Sequence, residues 1–257
     1  MSLIRLVDVH KSFGTVVALN GITMEVGDNE VVGLLGDNGA GKSTLVKLVM
    51  GVFPPTAGEI WIKNHRIPSH GYSAREAHNL RIETVYQEKA LGDKQSLWRN
   101  IFIGRQITNA LGFIRIKKEK QETDRIMKEL IGFRGSGVSP ESRVSRLSGG
   151  ERQGIAIGRA MYFDADLIIL DEPTVALSLV EVEKVHNFVK KIKESGRSAI
   201  YISHNIGDAY KICDRFIILD RGEIVNEAAK AAITLDQLTH TMMEIAKGNH
   251  ALAGSAG

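Results

Sequence analysis

A single cysteine in 257 residues, Cys213, excludes a disulfide framework within the chain. It sits in KICDRFIIL with no CxxC, histidine partner or helix-start serine beside it, and reads as a small buried filler. Nowhere do apolar residues run to the ~18 that a bilayer-spanning helix requires. The longest runs, such as LIIL at 167–170, are strand-sized. The opening MSLIRLVDV alternates like a strand and lacks a cationic start before an apolar segment, so no secretory leader is expected. Charge of one sign is also scarce: 33 Lys and Arg against 30 Asp and Glu leave a formal +3. Basic blocks such as Lys117-Lys118-Glu119-Lys120 are short and interrupted by acid, which favours a solvated helix face over a nucleic-acid patch. The expectation is a cytosolic protein with no nucleic-acid partner, attached to a membrane only through another chain.

What is present is an ordinary globular composition, 43% hydrophobic and 25% charged. The N-terminal part is strand-rich: LIRLVDVHKSF alternates, VVALNGITMEV comes next, and GEIWIKNHRI reads as a hairpin turning at Asn64-His65. Between them VVGLLG is too continuously apolar to face water on either side, which predicts a buried parallel strand feeding a helix from Lys42 to Met50. The same pattern returns at 167–170, 198–202 and 216–219, each run ending in polar residues: Asp171-Glu172, Ser203-His204 and Asp220. Helical stretches at 180–194 and 205–213 separate them, and 233–247 reads as a closing helix. The fold class is α/β: a parallel-sheet core with an N-terminal antiparallel β subdomain. Residues 88–163, charged and helical in period, read as a helical insertion, with 1–87 and 164–247 as the sheet core and 248–257 as a flexible tail.

The chemistry begins at Gly36-Asp37-Asn38-Gly39-Ala40-Gly41-Lys42-Ser43-Thr44. This is G-x-x-x-x-G-K-[ST] in its required context, after a buried strand and opening a helix. Backbone N–H groups of such a loop wrap phosphates, and the helix start adds its positive end. Lys42 reaches the β- and γ-phosphates, and the Ser43 hydroxyl is placed for Mg²⁺. Asp171, at the end of LIIL, is the second metal anchor, and Glu172 orients or deprotonates the attacking water. Adjacent carboxylates at a buried strand end are unfavourable without a cation beside them. His204, at the end of the next strand, is a donor that holds the γ-phosphate and Glu172 in line. Phe13, in KSFG, offers a flat face to an adenine, with core packing as the competing role. Gln87 comes after another short apolar stretch, where it is a candidate ligand for Mg²⁺ or its water. A second glycine-rich helix start, Ser148-Gly149-Gly150-Glu151 in RLSGGERQ, is an anion site with no evident tie to the first loop.

GDNGAGKST, Gln87, LSGGE, LIILDEPT and His204, in that order and spacing, resemble the nucleotide-binding subunit of ATP-binding cassette (ABC) transporters. The resemblance extends from KSFG to about residue 225 and implies a P-loop NTPase. Carried over by position, Phe13 matches the adenine-stacking aromatic, residues 36–44 the Walker A loop and Gln87 the Q-loop. Asp171, Glu172 and His204 match the Walker B aspartate, the catalytic glutamate and the switch histidine. It further implies that Ser148, Gly149, Gly150 and Glu151 hold ATP bound to a second cassette, so that two copies share each site. Two positions depart from the family: the signature ends in Glu151 rather than glutamine, and Val175-Ala176-Leu177-Ser178 stands where SALD is common.

Those departures and the phosphate loop resemble the subgroup importing simple sugars, the single cassette being more like the fructose-type importers than the fused ribose or xylose ones. The function implied is an ATPase that takes ATP and Mg²⁺, pairs as a homodimer and powers monosaccharide import at the cytoplasmic face. Its partners would be a membrane permease docking near 88–104, through Trp98, Ile101 and Phe102 or with these packed inside, and indirectly an external sugar-binding protein. The chain also ends without room for the regulatory C-terminal domain of some sugar-importing cassettes. The alternatives are a soluble ABC-type ATPase of protein assembly or nucleic-acid maintenance, or an importer subunit for a non-sugar solute such as a nucleoside.

Overall fold

The computed structural model describes residues 2–68, 71–86, 91–132 and 137–248. In chain order its elements begin with β1 (Ser2–Phe13), β2 (Val16–Gly27), β3 (Val31–Leu35), α1 (Lys42–Val49), β4 (Ala57–Ile62), β5 (His65–Ile67), α2 (Ala74–Asn79) and β6 (Ile82–Val85). They continue with α3 (Leu97–Phe102), α4 (Ile116–Arg125), α5 (Gly149–Tyr162), β7 (Leu167–Asp171), α6 (Leu179–Glu194) and β8 (Ser198–Ser203). The last are α7 (Ile206–Ile212), β9 (Arg215–Asp220), β10 (Glu223–Ala229) and α8 (Leu235–Ala246). The chain divides into two compact units: Met1–Thr84 with Ala165–Glu172 and Val189–Gly257, and Val85–Asp164 with Pro173–Phe188. The second unit thus takes in a segment that lies after the Walker B strand in sequence.

In the first unit, one sheet is antiparallel, in the order β2-β1-β4-β5. Its hairpin between β4 and β5 turns at Lys63 and Asn64, one residue earlier than the sequence suggested. Both have positive φ, 48° and 63°, as a two-residue hairpin turn matched to strand twist requires, and His65 already pairs with Ile62. The other sheet runs β10-β9-β3-β8-β7-β6, with β9, β3, β8 and β7 mutually parallel and β10 antiparallel on β9. All five residues of β3 and all six of β8 are buried, the condition that a strand covered on both faces imposes on its sequence. Register aligns the strand ends: Leu35 lies opposite Ser203 and Ile218, and Asp171 opposite Ile202. Hence Gly36, Glu172 and His204, the residues directly after β3, β7 and β8, emerge at one edge of the sheet. Cys213 is 1% exposed, and burial pushes its thiol above the ordinary range, so it is a filler and no nucleophile.

The second unit is helical. α5 carries glycines at 150, 154 and 158, four apart and therefore on one face. A β-carbon at Gly154 would lie 2.8 Å from Ile131, and one at Gly158 2.9 Å from the same side chain, so these two glycines let the π-helical turn Ile126–Ile131 pack against α5. Phe102, Tyr162 and Phe163 pack edge-on, at 5.4, 6.2 and 5.2 Å between ring centroids. Trp98, Ile101 and Phe102 are buried inside this unit, at 8%, 0% and 1% exposure. Of the two roles open to them, packing is the one the structure shows: α3 turns its apolar face onto its own core. Glu119, within the block read as a solvated face, also points inward, where its carboxylate accepts the Ile107 N–H at 2.8 Å.

Candidate nucleotide site

The phosphate loop crosses the end of β9 at a distance only glycine allows. A β-carbon on Gly36 would sit 2.3 Å from the Leu219 carbonyl oxygen, and one on Gly41, at φ 108°, 2.8 Å from that of Ala18. Gly41 is the N-cap of α1, so the helix begins with no side-chain cap, and its first-turn amides are left for an outside acceptor. Lys42 is 6% exposed, and its Nζ donates to the carbonyls of Gly36 at 2.7 Å and Asp37 at 2.9 Å. Burial pulls the Lys42 ammonium below its ordinary pKa, against the opposing pull of Glu172, Asp171 and Asp37. Asp37, Asn38, Gly39 and Ser43 face solvent, Thr44 is half-buried, and Ala40 is buried with its carbonyl accepting Gly222 N–H at 2.9 Å.

At the same edge, Glu172 has φ 48°, and its N–H donates to the Ile202 carbonyl at 3.0 Å. That turn carries its carboxylate to His204, whose Nδ1 lies 3.3 Å from Glu172 Oε1. Asp171 is held above the ordinary aspartate range, first by burial and then by the charge of Glu172, with Lys42 and Lys47 pulling the other way. A half-buried carboxylate pushed up in this way is short of positive charge, which a divalent cation would supply. Among the described residues, no group of three His, Cys, Asp or Glu side chains can hold a metal alone. One carboxylate and one hydroxyl, completed by phosphate oxygens and water, suit Mg²⁺.

Phe13 lies in the same unit as the loop and is 47% exposed, its ring edge-on to Phe53 at 5.2 Å, with Lys11 Nζ 5.0 Å from its centroid. One cation thus stands over Phe13, and Phe53 braces it; nothing local in the sequence singles out Phe53. Gln87 lies outside the described residues.

The signature belongs to the second unit. Ser148 is the N-cap of α5 in a full capping box: its Oγ accepts Glu151 N–H at 3.3 Å, and Glu151 Oε2 accepts Ser148 N–H at 2.9 Å. Glu151 thereby has a local role that glutamine fills equally well, which accounts for that departure. Gly150 N–H is already engaged, donating to Glu181 Oε1 at 3.0 Å.

These elements coincide with what comparison with known proteins finds. Residues 19–175 match the ABC transporter family. The chain belongs to that family. As an ABC ATPase it is 40% identical, over 96% of both chains, to the xylose/arabinose import ATP-binding protein of Sulfolobus acidocaldarius. It is 32% identical to the ribose import ATP-binding protein of Caldanaerobacter subterraneus over 94% of its own length. There it spans only 47% of the relative, and it spans about half of the other ribose proteins it matches. Among solved structures, a nucleotide-free ATP-binding cassette superposes with a TM-score of 0.78 at 22% identity, over 93% of this ABC chain and 96% of that one. A dimeric cassette in a post-hydrolysis state, bound to ADP and Pi, superposes at 0.73 and 25% identity, over 88% and 98%. The ABC fold, nucleotide binding and ATPase class follow from the family.

Proposed function

We propose that this ATPase drives uptake of a monosaccharide through a separate membrane permease, working as a pair of cassettes at the cytoplasmic face. The observation that carries the reading is the 40% identity over 96% of both chains to a protein named for xylose and arabinose import. Relatives named for ribose import support the same substrate class.

In this reading Lys42 exchanges its loop carbonyls for the β- and γ-phosphates, and the open amides at the start of α1 take the remaining phosphate oxygens. Phe13 stacks on the adenine. Ser43, Asp171 and Gln87 would hold Mg²⁺, which neutralises charge developing on the β- and γ-oxygens. Glu172 takes the proton of the attacking water, and His204, 3.3 Å away, holds that carboxylate in line. Ser148, Gly149, Gly150 and Glu151 receive the γ-phosphate bound by the other copy, so closing the pair is coupled to binding ATP and reopening to hydrolysis. The permease contact falls within 88–104, where, among the described residues, Ile103 is an apolar side chain 60% exposed.

Deletion of the gene should abolish uptake of at least one radiolabelled sugar among xylose, arabinose, ribose and fructose. Wild-type protein should restore it and Glu172→Gln should not. Unchanged uptake of all four sugars would overturn the sugar assignment and leave the ATPase class standing.

A further inference from the structure

One carboxylate joins the start of α5 to the start of α6. Glu181 Oε1 accepts the Gly150 N–H at 3.0 Å, while Oε2 accepts both the N–H and the hydroxyl of Ser178, at 3.0 and 2.9 Å. Gly150 is buried, and a β-carbon there would lie 3.0 Å from Cβ and Cγ of Glu181, so this glycine is what lets the two helix starts meet. These bonds, Gly150 first and Ser178 next, hold the Glu181 carboxyl at about 2, and it is an anion at every working pH. Ser178 occupies the place of the aspartate that is common in this family. An aspartate there would set a second carboxylate against Glu181; a serine donates to it. Ser178 and Glu181 are a matched pair, which gives the missing aspartate a physical reason.

The chain's two glycine-rich helix starts differ in just this respect. α1 has no side-chain cap. α5 has its own Ser148–Glu151 box, and Glu181 in addition on the Gly150 amide. A γ-phosphate brought to that amide meets a resident anion, and two anions do not share one N–H.

We propose that Glu181 is an intramolecular latch on the signature: in the isolated chain it occupies the Gly150 amide, and nucleotide carried by a second copy displaces it. The proposal rests on the reading of Ser148–Glu151 as the half-site for the partner's nucleotide. Displacement has a route, because Glu181 is only partly buried and its carboxylate swings out without crossing the core. Release of Glu181 also unties Ser178, so the loop 174–178 loosens in step with closure of the half-site.

The test uses the full chain in a Glu172→Gln background, where ATP is bound and not turned over, and tracks dimerisation by sedimentation velocity against Mg·ATP concentration. Adding Glu181→Ala should lower the ATP concentration for half-dimerisation about tenfold, the size of one hydrogen bond to a charged group. Glu181→Gln, uncharged and with a single oxygen that can accept from Gly150 or from Ser178 but not from both, should lower it by a smaller factor and carries the test if the alanine variant fails to fold. An unchanged or higher concentration overturns the latch and leaves Glu181 a helix cap. Ser148→Arg in the same background tells the two readings apart. If it abolishes dimerisation while the Glu181 variants shift nothing, the latch alone falls. If the parent stays monomeric at saturating Mg·ATP, or Ser148→Arg still dimerises, the half-site reading falls and the latch with it.

Discussion

His204 Nδ1 stands 3.3 Å from Glu172 Oε1, although the two residues come after different strands of the sheet. Parallel pairing of β7 with β8 makes them neighbours, and the left-handed turn at Glu172 aims the carboxylate across. Glu172→Gln should therefore retain Mg·ATP binding and lose roughly 10²–10⁴ in hydrolysis rate, the span of general-base contributions. Phosphate-release kinetics beside nucleotide titration check it, and near-wild-type turnover removes Glu172 from the role of base.

Asp171 has the opposite problem, a carboxylate raised by burial and by Glu172. A raised native pKa means the native state binds this proton more tightly than the unfolded chain does. Below the unfolded aspartate pKa the group is protonated in both states and costs nothing. As pH rises through the raised native value, the penalty develops, and it is complete above it. Asp171→Asn should therefore melt higher than wild type in nucleotide-free buffer at neutral pH, with the gap closing as pH falls toward the carboxylate range. Scanning calorimetry at several pH values would show this, and Mg·ATP should stabilise wild type far more than the variant.

Phe13 stacks on base in the proposed site, and Phe53 holds its edge. Phe13→Ala should weaken ATP by about 1–3 kcal/mol, the worth of one base–aromatic stack, with Phe13→Tyr close to wild type. Phe53→Ala should weaken it less. Isothermal titration measures both, and equal affinity across the three variants would place the base elsewhere.

Trp98 is buried and its indole N–H donates to Glu141 Oε2 at 3.3 Å. Trp98→Ala should destabilise the helical unit by about 3–5 kcal/mol, the usual result of emptying a large aromatic from a core. Urea denaturation reads this directly. A variant of unchanged stability that fails only to associate with a permease would give Trp98 the docking role, the other of the two left open by the sequence.

The phosphate loop, the strand-end carboxylates, His204 and the parallel sheet were legible because each rests on a local pattern. A buried strand must be apolar at every residue, a phosphate loop needs glycines at fixed spacing, and the polar residue after a strand lands at the sheet edge wherever that strand pairs. Three features were not. The inward turn of Trp98, Ile101 and Phe102 depends on what α3 packs against, which a six-residue helix does not state. The bracing of Phe13 by Phe53 joins the end of β1 to the segment between α1 and β4. The bond from Gly150 to Glu181 spans 31 residues, and Glu181 in sequence is one more acid at a helix start. Local periodicity carries which chemistry the chain owns. Which of its groups are already engaged with one another is set by long-range packing, and only the folded chain holds that information.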